Sequence, residues 1–232
     1  MTLELNAKDV VDVLDNKGIK YLYHANTVLT SCTFLKNSGL LSRGAVESHN
    51  LRQTYQYTDQ IDKQYNIWYD IFLDNCDIHK RGSNRNLYGP VLFCFDLKIL
   101  LRKALPPIYI TKKNPSNWDN TDHKGDRYFQ SIEELEKEYI FGTYGHTITL
   151  KNTNQVLPFG RDLKQIIIDD PQVDNLYKNA VEEIIKAGKK GNINNIKNLI
   201  IRRECNLNCK CEQYYYENKM DLNRLFSMDG DK

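Results

Sequence analysis

No stretch of the chain approaches the ~18 consecutive apolar residues that a membrane-spanning helix needs, so no membrane partner is expected. The opening residues, MTLELNAKDV, carry neither the basic nor the apolar region of a secretory signal, which makes the cytoplasm the expected location. A dominant charge is also missing: 32 Lys and Arg stand against 30 Asp and Glu, a net charge of +2, so contact with nucleic acid would depend on a local patch. Six cysteines in 232 residues do not make the dense framework of a small secreted domain, which leaves free thiols or a metal site. There is no phosphate-cradling Gly-rich loop, no Walker lysine motif and no Gly-x-Ser-x-Gly elbow. Kinase, dinucleotide-fold dehydrogenase and serine hydrolase readings therefore lose support.

What is present is 41% hydrophobic and 27% charged, ordinary for a globular chain long enough to bury a core. Fifteen tyrosines offer apolar rings with polar tips, suited to stacking a nicotinamide, an adenine or a nucleobase. With no repeat and no low-complexity linker, the expectation is one domain over 1–171 and a helical, Cys- and Tyr-rich extension over 172–232 packed on it.

Periodicity predicts an amphipathic helix over Asn6–Lys17, with Gly18 as its stop, leading into a strand that ends near His24. Asn26 or Thr27 can cap a second helix, carrying Val28, Leu29, Phe34 and Leu35, which Asn37-Ser38-Gly39 ends. The polar, aromatic segment 46–86 holds Ile67, Trp68, Ile71 and Phe72 as apolar anchors and reads as a helix or a long loop. YGPVLFCFDLKILL, from Tyr88 to Leu101, is a near-continuous apolar run, expected as a buried central strand leading into a helical turn. Ile108–Thr111 reads as a strand, and 114–130 as a long polar loop of the sort that often serves function. Ser131 with Glu134 forms a capping-box pattern. Tyr139–Phe141, His146–Leu150, Val156–Phe159 and Leu163–Ile168 read as an antiparallel meander, and Val173–Ala187 as a helix.

The run YLYHANTVLTSCTFLKNSGLLSRG, Tyr21 to Gly44, places a histidine at the end of a strand, then a helix, then Gly-Leu-Leu-Ser. This order resembles the opening of the ADP-ribosyltransferase superfamily, and more loosely its DarT-like branch, which modifies nucleic acid. The resemblance implies an α+β fold with a split, mainly antiparallel sheet, an NAD cleft, flanking helices and a helical C-terminal extension. It implies NAD as substrate, a DNA or RNA acceptor in a toxin or phage-defence setting, and an antitoxin or regulator protein as a further partner. By the same resemblance, the NAD-binding set is His24, Ala25, Asn26, Arg43, Arg52 and Tyr69. In it His24 holds the ribose, and Arg43, or else Arg52, meets a phosphate through its bidentate fork.

ADP-ribosyl transfer passes through an oxocarbenium-like state that a carboxylate stabilises while it orients or deprotonates the acceptor. Glu138 follows the 114–130 loop as the superfamily order requires. A second register puts the catalytic position at Gln155, in NQVLPF, where glutamine cannot act as a base and an inactive form or an altered mechanism would follow. His146 is the third candidate, able to titrate near neutral pH.

Other readings stay open beside this one: modification of a protein side chain, a module that binds NAD or a nucleotide without turnover, and a metal-dependent nuclease using Asp70, Asp74 and Asp77. Cys205, Cys209 and Cys211 lie close enough to share zinc, but a fourth ligand would have to come from a distant histidine or Cys32, and no metal is expected. Lys197, Arg202, Arg203 and Lys210 interleave with Tyr214, Tyr215 and Tyr216, a mix suited to a nucleic-acid surface.

Overall fold

The computed structural model describes residues 4–77, 79, 87–204 and 210–229. At its centre lies β4 (Val91–Asp96), whose first five residues are all buried. It pairs antiparallel with β1 (Tyr21–Asn26) on one side and with β8 (Leu163–Asp170) on the other. A strand flanked on both edges and covered on both faces has no solvent side, which is why its sequence is a continuous apolar run rather than an alternation. β9 (Ile200–Glu204) adds to β8 in parallel and completes a sheet of order β1-β4-β8-β9.

A smaller sheet has the order β3-β6-β5, from Ile71–Leu73, Ile148–Leu150 and Ile108–Ile110. β2 (Gly39–Leu40) and β7 (Leu157–Pro158) form a two-stranded ladder. The expected meander is not found. β6, β7 and β8 each belong to a different sheet, and residues 139–141 form no strand, leaving Ile140 and Phe141 exposed. Ladders of two or three residues are set by their partners, and alternation in so short a segment does not reveal which partner that is.

α1 (Ala7–Asn16) is capped by Asn6, whose side chain accepts from the amides of Lys8 and Asp9. α2 (Val28–Lys36) is capped by Thr27 and buries every residue from Val28 to Leu35, packed against α7 (Asp174–Lys190). The residue that turns the chain after α2 is Ser38, at φ 56°, not Gly39. Gly39 is needed for closeness, since a Cβ there would stand 2.3 Å from the Leu157 carbonyl oxygen. α3 (Arg43–Ser48) runs into the 46–86 segment and α4 (Asp59–Gln64) lies within it, but the anchors Ile71 and Phe72, expected in a helix or long loop, stand in strand β3 because they pair with β6. The 114–130 segment is packed rather than free. Trp118 and Tyr128 are buried with Ile67, and the Arg127 guanidinium lies 4.7 Å from the Tyr65 ring centre and 5.0 Å from that of Trp118.

The segment after 171 shares the body's core. β9 extends the main sheet, and α9 (Lys210–Glu217) and α10 (Lys219–Phe226) bury Tyr214, Tyr215 and Phe226. Asp169 and Asp170 end β8 inside the protein, facing Arg203 and Arg202 of β9. Arg203 also reaches Asp77. The basic and aromatic mix near the C-terminus is thus largely spent on internal pairs and core packing, with Tyr216 the fully turned-out ring. Cys205 and Cys209 lie outside the described residues, and Cys211 is buried. Among the described residues no helix is long and apolar enough to cross a membrane, and no three His, Cys, Asp or Glu side chains gather as a metal site.

Candidate functional site

β1 and α2 form one wall of a cleft that is open to solvent and holds a cavity of about 110 Å³. His24, Ala25 and Asn26 line it from β1, Ser42 and Arg43 from the start of α3, and Thr58 and Asp62 from α4. Asp70, Phe72 and Asp74 line it from in and around β3, while Asn114, Pro115 and Ser116 come from the long polar segment and Tyr144 from the turn before β6.

His24 is placed by strand alternation on the cleft side of β1, with its ring 5.6 Å from that of Phe34 on α2. Its Nδ1 lies 2.8 Å from the Phe72 carbonyl oxygen. A carbonyl can only accept, so Nδ1 carries the hydrogen and Nε2 keeps its lone pair. Burial holds the histidine pKa below its ordinary value, with Arg43 adding to the effect against the Phe72 bond and Asp74. The neutral ring is therefore the form present at physiological pH. Nε2 lies 3.5 Å from Asn26 Nδ2, a long and weak contact that leaves the nitrogen available as an acceptor.

Ser42 caps α3, accepting from the Ala45 amide at 3.2 Å and donating to the Thr153 carbonyl at 2.6 Å. That pair of bonds fixes where Arg43 enters the cleft. Arg43 Nη2 donates to Asp59 Oδ2 at 2.6 Å and to the Thr54 carbonyl at 3.0 Å, and Nε stands against the other Asp59 oxygen. Nη1 is buried and has no hydrogen-bond partner among the described residues. A guanidinium clamped on one edge, with an unsatisfied donor left over, is built to receive an anionic or carbonyl oxygen.

The remaining expected residues are placed elsewhere. Arg52 does not line the cleft, and its Nη2 donates to the Met228 carbonyl beyond α10. Tyr69 is partly exposed behind Gly44, where its carbonyl accepts from the Thr153 amide. Glu138 is exposed in the last turn of α6 (Ile132–Glu138). His146 is buried between Tyr139 and Phe129, accepts from the Ile140 amide at Nδ1 and has its pKa lowered by burial. Gln155 is exposed just before β7, next to Asn154 and Thr153, which contact Ser48 and Ser42.

Three carboxylates do line the cleft, and sequence reading named Asp62 in no role. Asp70 is held by Lys151 and by the Asn152 amide, and Asp77, the third member of the proposed metal triad, by Arg203. Asp62 makes no hydrogen bond or ion pair to a described side chain. Burial, then the neighbouring Asp59 and Asp70 charges, push its carboxyl up to about 7 against the opposing pull of Arg43. Nothing in DQIDKQ marks Asp62 out, because its setting arises only when α4 folds against α3.

No family model matches the chain, and no curated protein matches it. Among solved structures it is similar to Thermus sp. 2.9 DarT in complex with ADP-ribosylated ssDNA, at 13% identity and a TM-score of 0.48, over 81% of this chain and 94% of that one. At that identity and score the likeness is a distant one.

Proposed function

We propose that the cleft binds NAD and that the protein transfers ADP-ribose from it to a macromolecular acceptor, DNA or RNA before protein. The observation that carries this reading is that the Tyr21–Gly44 run, whose order resembles the ADP-ribosyltransferase opening, folds so that His24 and Arg43 line one cleft. His24 offers a neutral Nε2 acceptor to a ribose hydroxyl, and Arg43 Nη1 offers a donor to a phosphate or to the nicotinamide carbonyl. Ala25 and Asn26 continue the same wall, and Asn114 and Ser116 bring the polar segment to the rim where an acceptor would arrive.

Glu138, His146 and Gln155 remain candidates for positions that act on the acceptor side. None of them lines the cleft among the described residues, and a glutamine can orient a group but take no proton. The test is incubation of the protein with labelled NAD and, separately, single-stranded DNA, RNA or a protein extract, following label transfer and nicotinamide release. Label on one acceptor, lost in His24→Ala, supports the reading. NAD binding without nicotinamide release supports a module without turnover, the alternative that Gln155 favours. No binding of NAD overturns both.

A further inference from the structure

We propose that Asp62 is the general base of the reaction, accepting the proton of the acceptor group as that group bonds to the ribose. The proposal rests on the NAD-dependent transfer put forward above. Its ground is geometric: of the three carboxylates that line the cleft, Asp70 is committed to Lys151 and the Asn152 amide and Asp74 interacts with its own neighbours beside His24 and Tyr88, whereas the Asp62 side chain makes no hydrogen bond or ion pair to a described residue. No glutamate lines the cleft among the described residues, and Gln155 cannot accept a proton. Asp62 sits one turn along α4 from Asp59, the residue that clamps Arg43, so one short helix sets both the anion-receiving guanidinium and the carboxylate beside it.

The step balances without a further reactant. The bond between the ribose anomeric carbon and the nicotinamide nitrogen breaks, its electron pair goes to the nitrogen, and nicotinamide leaves neutral. A lone pair on the acceptor nitrogen or oxygen forms the new bond to that carbon. The acceptor proton passes to an Asp62 carboxylate oxygen and from there to solvent. The charged groups facing Asp62 are Asp59 on its own helix, Arg43 at the start of α3, and Asp70 ahead of β3 with its partner Lys151. Burial first, and then these charges, place the carboxyl near 7, where at neutral pH about half of it is ionised and the ionised form is strong enough to take a proton.

The experiment is single-turnover transfer from labelled NAD to single-stranded DNA, RNA or protein, whichever accepts label, by wild type, Asp62→Asn and Asp62→Glu between pH 5 and 9. NAD affinity is measured in parallel by titration calorimetry. The expected result is a loss of about 100-fold or more in the Asn variant with unchanged NAD affinity, and partial recovery in the Glu variant. The wild-type rate should rise with pH and level off above about 7, and the Asn variant should lose that rise. An Asn variant with wild-type rate and pH profile overturns the role of Asp62 and leaves the transferase reading standing. An Asn variant whose rate loss is matched by lost NAD affinity also overturns it, since Asp62 would then serve binding. A wild type that releases no nicotinamide overturns both.

Discussion

At the scale of single residues, the cleft depends on protonation states that burial and neighbours impose. His24 is kept neutral with its hydrogen on Nδ1, so NAD affinity should stay level as pH falls from 8 to the ordinary histidine range. The sign for stability is separate. A lowered folded pKa means the unfolded chain binds the proton first, so His24 lowers stability as pH drops through that range. Asp62 has the opposite linkage. Its folded pKa, about 7, lies above the unfolded value, so its stabilising contribution is fully present at low pH and is lost as pH rises towards 7. Asp62→Asn should therefore gain on the order of 1 kcal/mol over wild type at pH 8 and nothing at pH 4, read from denaturant midpoints. Arg43→Lys keeps the charge but loses the fork that grips Asp59, and should weaken NAD binding about tenfold with little loss of fold. These settings were only half legible beforehand. His24 and Arg43 stand in a recognisable order along the chain, while Asp62 acquires its character from Asp59, Arg43 and Asp70, which only the folded protein brings around it.

Among the elements, those that follow from sequence are the ones with long periodic or continuous apolar patterns. α1, α2, β4 and α7 show this: α1 and α7 bury one face, while α2 is buried from Val28 to Leu35 and β4 over its first five residues. β2 and β7 are two residues each, and β9, IIRRE, is an edge strand with three of its five residues exposed, so none of the three carries a pattern to read. The Ser131 cap is found as expected, although Glu134 reaches back to the Gln130 amide rather than to that of Ser131. The cap that matters most for the cleft is Ser42. Ser42→Ala removes the acceptor for the Ala45 amide and strands the Thr153 carbonyl, at a cost of about 1–2 kcal/mol, and lets α3 shift Arg43. Thermal melting should fall and NAD affinity with it. Ser131→Ala, far from the cleft, should lower stability by a comparable ~1 kcal/mol and leave affinity alone.

For the whole molecule, the sheet joins the two ends of the chain. Asp77 follows β3, Asp169 lies next to the end of β8 and Arg203 lies on β9, and the three meet in one buried ion cluster. Arg203→Ala would leave two buried carboxylates without their counter-charge and should cost about 3–5 kcal/mol, visible in the denaturant midpoint. The division expected at 171 falls just after β8, yet β9 beyond it is part of the same sheet, and this was hidden because the Arg202 and Arg203 that make β9 look exposed are the partners of Asp169 and Asp170. A chelator should leave transfer unchanged, since Asp70 and Asp77 are held by Lys151 and Arg203 and do not converge on a metal.

The most direct measurement is titration of NAD into the wild-type protein and into His24→Ala by calorimetry at neutral pH. Saturable one-site binding to wild type, weakened about tenfold or more when the His24 acceptor is removed, is the predicted result. Absence of binding, or equal binding by both proteins, would contradict the assignment of this cleft to NAD.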